Sequence, residues 1–198
     1  PSCMPTKYIA EGDYLLDDYS IKYEGDKIKK EDLENYIRQN PNKTILGLKF
    51  HLGLYNLSKK DVEDGFINNW LRTIGEAPVV YDEFFTKKSS AQMELHLQSK
   101  GYFNAVVSDT VEYKKKKAKV IYNIKSNEPY RIRNVNYILE DTSLNSFIYN
   151  DSENCLLKKG ELFDEDIFTQ ERGRIELLAR TSGYYYFSKE YVFYMADS

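Results

Sequence analysis

Between Leu16 and Glu24, apolar Leu16, Tyr19, Ile21 and Tyr23 interleave with Asp18, Ser20, Lys22 and Glu24. That period predicts a strand with one buried face. Gly25-Asp26 marks a turn. Residues 30–39 then place Leu33, Tyr36 and Ile37 on one helical face and stop before Asn40-Pro41. Residues 42–60 mix apolar runs with Gly47 and Gly53 and read as an irregular or partly helical insertion. Residues 61–74 carry Val62, Phe66, Trp70, Leu71 and Ile74 at helical spacing, a stripe that reads first as core packing and second as a docking face. After Pro78, Asp82 is placed to cap a helix bearing Phe85, Ser89, Met93 and His96 on one face. Two β-rich runs, 105–113 and 118–125, flank Lys114-Lys115-Lys116-Lys117 and predict a hairpin with a solvated lysine turn. Beyond Asn127-Glu128-Pro129 the pattern predicts a strand at 131–139, a short helix at 144–149, a long helix at 164–181 and a strand at 189–195.

Two of these stretches repeat. Tyr81-Asp82-Glu83, a helix and Gly101-Tyr102-Phe103 return as Phe163-Asp164-Glu165, a helix and Gly183-Tyr184-Tyr185. Both landmarks are offset by 82 positions (163 − 81 and 183 − 101), so no gap separates the copies. Repetition on this scale predicts modules in series, each with its own small core. Gly101 and Gly183 stand where each helix should end, which a left-handed C-terminal cap explains. His96 occupies the place of Leu178 and is read as a packed histidine.

Composition narrows the function classes. The 198 residues include 30% charged and 41% hydrophobic, an ordinary globular balance, and the formal net charge of −3 implies no general attraction to nucleic acid. Eighteen tyrosines against one tryptophan suit half-buried strands and interfaces. No apolar run is long enough to span a bilayer as a helix. The two cysteines, Cys3 and Cys155, make no disulfide framework. His51 and His96 lie in different elements without metal-ligand spacing, so no metal site and no cofactor are expected. Adjacent carboxylates such as Asp17-Asp18, Glu63-Asp64 and Asp164-Glu165-Asp166 diverge in direction and make poor acid–base pairs. No phosphate loop or nucleophile elbow is present, and a hydrolase is set aside in favour of a non-catalytic role.

Each unit thus reads as strand, helix, helix, strand, strand: an α+β fold with a three-stranded mixed sheet and two helices on one face. That order, with the acidic helix start and the Gly-Tyr helix end, resembles the POTRA domain. The most specific piece runs from Phe163-Asp164 through Glu171, Arg174 and Ile175 to Gly183-Tyr184-Tyr185. Serial POTRA domains form the periplasmic arm of the outer-membrane β-barrel assembly and translocation family that includes BamA and TamA. The segments Cys3-Met4-Pro5-Thr6-Lys7-Tyr8-Ile9, Gly12-Asp13-Tyr14-Leu15-Leu16, Tyr36-Ile37-Arg38-Gln39-Asn40-Pro41-Asn42 and Ile74-Gly75-Glu76-Ala77-Pro78-Val79 are similar to the lipid-anchored TamL-type branch.

Residues 1–13, with Pro1, Pro5 and Gly12 and no periodicity, read as a tether; a first domain follows at 14–128, with an insertion at about 42–75 that a minimal POTRA lacks, and a second at 129–198 that lacks its last strand. The resemblance implies Cys3 as a lipid-attachment residue in the native protein, with the small Ser2 on its cleavage side. It implies protein partners: unfolded outer-membrane protein clients, or a periplasmic subunit such as a TamB-like protein, with membrane contact through the lipid and a barrel that this chain does not contain. A cell-division scaffold or a two-partner secretion pore is the alternative setting. Strand addition needs a free sheet edge, and the edges expected are 106–113, with Val106, Val107, Asp109 and Val111, and 191–195, with Tyr191 and Phe193. Within the insertion, Phe50, Leu52 and Tyr55 form a candidate docking patch beside the competing role of covering the module's own core.

Overall fold

The computed structural model describes residues 5–25, 28–59, 65–139 and 141–197; Cys3 lies outside them. The chain divides into two compact units. The first holds the described residues up to His96 together with Ala105–Asn127, and the second holds Leu97–Asn104 and the described residues from Glu128 onward. The stretch Leu97–Asn104, assigned to the first domain in the sequence reading, groups with the second unit.

In the first unit, β1 (Leu15–Glu24), β2 (Val106–Lys114) and β3 (Lys117–Lys125) form one mixed sheet in the order β1-β3-β2. β3 is central, parallel to β1 and antiparallel to β2. A two-residue turn joins β2 to β3, and both Lys115 and Lys116 have positive φ (49° and 60°). Those are the left-handed values of the type I′ turn, whose twist matches the flanking strands. The register brings Val107, Ile124 and Tyr23 side by side, then Asp109, Tyr122 and Ile21, then Val111, Val120 and Tyr19.

Helices α1 (Lys30–Glu34) and α4 (Glu83–Ser99) cover this face. Tyr19 donates its hydroxyl to Glu34 of α1 at 3.1 Å, and Lys87 of α4 meets Asp109 at 2.9 Å. Leu33, Met93, Val120, Tyr122 and Ile124 are buried between them. α1 is shorter than the sequence predicts. The backbone N–H of Arg38 goes to the Ser89 hydroxyl at 2.9 Å instead of to a helical carbonyl, so the chain leaves the helix to satisfy α4. His96 stacks on Tyr36, with ring centroids 4.7 Å apart.

The insertion carries α2 (Phe50–Leu57) and α3 (Phe66–Ile74). Asn42, almost fully buried, closes its neck by donating to Ala77 O at 2.7 Å and accepting from Val79 N–H at 3.0 Å. Leu52 is 0% exposed and clusters with Leu15 and Ile9. Residues 5–13, expected as a tether, are therefore packed: Ile9 is buried, and Lys7 and Tyr8 bond the Ser58 carbonyl at 2.6 Å each. Burying Ile9 outweighs the flexibility that its Pro- and Gly-bearing neighbourhood suggested.

In the second unit, α5 (Thr142–Asn150) and α6 (Glu165–Thr181) pack around Leu144, Ile148, Ile175 and Ala179. The strands expected at 131–139 and 189–195 do not form among the described residues. Arg131 makes only an isolated bridge to Leu162, and Lys189–Tyr191 is a short 3-10 turn. Extended chain becomes a strand only when a neighbour takes its backbone hydrogen bonds. Here Ile132 exchanges bonds with the loop at Gly160 and Glu161.

The repeated helices match bond for bond. Asp82 accepts from Phe84 N–H at 2.8 Å, and Asp164 accepts from Asp166 N–H at 2.9 Å. Gly101 and Gly183 have φ of +90° and +104°. Tyr102 N–H reaches Leu97 O at 2.9 Å, and Tyr184 N–H reaches Ala179 O at 3.0 Å, the same C-terminal closure twice. Ser89 and Glu171, also equivalent, are both buried, and each accepts the backbone N–H of a residue following its module's first helix: Arg38 and Leu156.

Candidate interaction edge

β1 and β2 are the two edges of the sheet, so the sequence-predicted 106–113 edge is present. In a hairpin closed by a two-residue turn, the flanking pair Lys114 and Lys117 exchanges both backbone bonds. Alternation then directs the N–H and C=O of Glu112, Thr110, Ser108 and Val106 toward β3. Those of Tyr113, Val111, Asp109 and Val107 point away from the sheet. An independent contact agrees: Val107 N–H donates to the Glu94 carboxylate at 2.9 Å, off the sheet.

The edge is bounded at both ends. Glu94 covers it at Val107. At the other end Tyr113 packs on Tyr14 and Tyr81, with ring centroids 4.4 and 6.0 Å apart. Burial pushes the Tyr81 hydroxyl up to about 12, so it stays protonated and neutral at physiological pH. Between these ends lie the outward peptides of Asp109 and Val111. The Asp109 side chain itself points inward, paired with Lys87 and accepting from the Ser90 hydroxyl at 3.2 Å. Asp109 thus anchors β2 to α4 while its backbone faces out. The hydrogen bond that Lys87 donates to Asp109, and the charge of that carboxylate, raise the Lys87 ammonium above its ordinary value.

β1, an edge that the sequence reading did not name, is covered at its start. Leu16 N–H donates to Val79 O at 2.8 Å and Tyr81 N–H to Tyr14 O at 2.8 Å. Its edge status follows from β3 lying in the centre, which is a matter of tertiary pairing. The second predicted edge, at 191–195, belongs to no strand among the described residues, although Tyr191 and Phe193 are exposed.

The predicted docking patch divides. Leu52 is core, and Tyr55 is half-buried edge-on against Tyr8, with centroids 5.3 Å apart. Phe50 alone of the three is exposed. The larger apolar surface is on α3, where Phe66 is 87% and Ile67 71% exposed, with Trp70 half out. The stripe read as core packing therefore faces outward. α3 is held by its polar side: Asn68, buried, accepts from Lys59 N–H at 2.6 Å and donates to Lys59 O at 3.1 Å, and Arg72 also bonds Lys59 O. Val62 of that stripe lies outside the described residues. No group of three or more potential metal ligands occurs among the described residues.

The POTRA family (surface antigen variable number repeat) matches residues 19–127, more than half of the chain. The chain belongs to the POTRA family. The match begins within β1 and ends just after β3, so it spans α1, the inserted α2 and α3, α4, β2 and β3 of the first unit. No curated protein matches the sequence. Among solved structures, POTRA domains 3–5 of BamA from Haemophilus influenzae align over 89% of this chain and 89% of that one, at 10% identity and a TM-score of 0.30.

Proposed function

We propose that this POTRA chain is a non-catalytic arm that holds an extended polypeptide by strand addition along β2, on the periplasmic side of an outer-membrane assembly or translocation system. One observation carries the reading: β2 is an edge strand whose peptides at Asp109 and Val111 point away from the sheet, with a boundary at each end. Main-chain pairing supplies affinity there, and alternate side chains of the guest supply selectivity. Unfolded outer-membrane protein segments and a TamB-like subunit are the proposed guests. Attachment of the native protein through a lipid on Cys3, as in TamL-type relatives, belongs to the same proposal. Mass spectrometry of the native protein checks it, and an unmodified Cys3 thiol would refute it.

The edge itself is tested by proline. Val111→Pro removes an outward N–H and no ladder bond, a place where an edge strand tolerates proline. Thr110→Pro removes a bond to β3 and serves as the destabilised control. Fluorescence anisotropy with a synthetic amphipathic barrel-strand peptide should show binding by the parent chain and at least tenfold weaker binding by Val111→Pro, with the circular dichroism spectrum retained. Equal affinity in a folded Val111→Pro chain excludes this edge.

A further inference from the structure

α3 is inside out with respect to water. At 3.6 residues per turn, Phe66, Ile67, Trp70 and Ile74 fall within about 100° of one another around the helix axis, and all four are exposed. Asn68 and Arg72 lie on the opposite side and bond the Lys59 backbone. Thr73, at the border of the outward face, returns its hydroxyl to the Asn69 carbonyl at 2.8 Å. A surface helix in water has the reverse arrangement. Polar groups satisfied within the protein and apolar side chains outward are what hydrocarbon demands of a helix.

The face also lacks charge. α2 and α3 contain no Asp or Glu between them, although the chain has 31, and Arg72 is their one Lys or Arg. α2, packed against α3, also leaves Phe50 and Leu57 exposed. The start of the chain argues for what covers this surface. The Pro5 carbonyl accepts from the Asn56 side chain at 3.3 Å, and Lys7 donates to the Asn56 carbonyl at 2.8 Å, so Pro5 lies at the end of α2. Cys3 is two residues before Pro5, about 7 Å of chain at full extension. A lipid on Cys3 would therefore bring a bilayer within reach of the insertion. That step rests on the lipidation proposed above; the inside-out face does not.

We infer that α3 lies in a lipid surface, with Phe66, Ile67, Trp70 and Ile74 among the acyl chains just below the headgroups. Nine residues make about 14 Å of helix, so α3 lies along the surface, and no helix among the described residues is long and apolar enough to cross it. The charged residues beside the face in sequence balance, Lys59, Lys60 and Arg72 against Asp61, Glu63 and Asp64. Apolar area therefore drives the insertion, not attraction to anionic headgroups. This surface is distinct from the β2 edge.

The test uses the full chain with Cys3 as a free thiol, so that its result does not depend on lipidation. Trp70 is the one tryptophan of the chain, and its fluorescence reports on this face alone. Phosphatidylcholine vesicles should move its emission to shorter wavelength, and lipids brominated in the upper acyl chain should quench it, equally at low and high salt. Phe66→Ser with Ile67→Ser should lower vesicle partition at least tenfold with the circular dichroism spectrum retained, while Val111→Pro leaves it unchanged. Four outcomes overturn the inference. The first is emission that vesicles do not change. The second is a shift that follows protein concentration and ignores vesicles, which assigns the face to a second copy of the chain. The third is a shift without quenching by brominated lipid, which leaves Trp70 outside the acyl chains. The fourth is binding abolished by high salt, which assigns it to headgroup charge.

Discussion

Gly101 and Gly183 do the same backbone work in different surroundings. Each closes a 17-residue helix with a positive φ that a side chain makes costly. A Cβ on Gly183 would meet open space, whereas one on Gly101 would come within 2.8 Å of the Phe163 carbonyl oxygen. Gly183→Ala should therefore cost only the backbone strain, about 1 kcal/mol. Gly101→Ala adds a clash with main chain and should cost about 3 kcal/mol. Urea unfolding of the two variants checks the ranking, and equal losses would mean that the packing at Phe163 relaxes freely. Both glycines were legible in the sequence because a helix cap is decided within six residues. The crowding at Gly101 was not, because Phe163 is 62 positions away.

At the scale of elements, the β2–β3 hairpin closes on two lysines in a conformation that favours Asn-Gly. The double substitution Lys115→Asn, Lys116→Gly should raise stability by about 1 kcal/mol, read as a higher urea midpoint at unchanged slope. An unchanged midpoint would show that the lysine pair bears no strain. The lysine run announced the turn correctly because turn chemistry is local. The strands expected at 131–139 and 189–195 failed for the opposite reason: their alternation is present, but a ladder requires a second strand, and alternation does not say whether one is in place. α3 was misjudged in a third way. Periodicity identified the helix and its apolar face, but not which face is inward. Asn68, with two hydrogen bonds to the Lys59 backbone, turned the polar side in.

For the whole molecule, that outward face departs from an ordinary surface, since Phe66, Ile67 and Trp70 are all exposed on one helix. Phe66→Ser with Ile67→Ser should leave the unfolding free energy within about 0.5 kcal/mol and reduce self-association in sedimentation at high concentration. A large loss of stability would place these side chains in the core after all. The sequence by itself determined the α+β class, the two copies, both ends of each long helix and the hairpin, because caps, turns and periodicity are short-range. Tertiary structure alone decided that β3 is central and β2 therefore an edge, that Leu52 goes in while Phe50 stays out, and which side of α3 meets water. Those outcomes depend on pairings and burials between residues far apart in the chain, which no local pattern encodes.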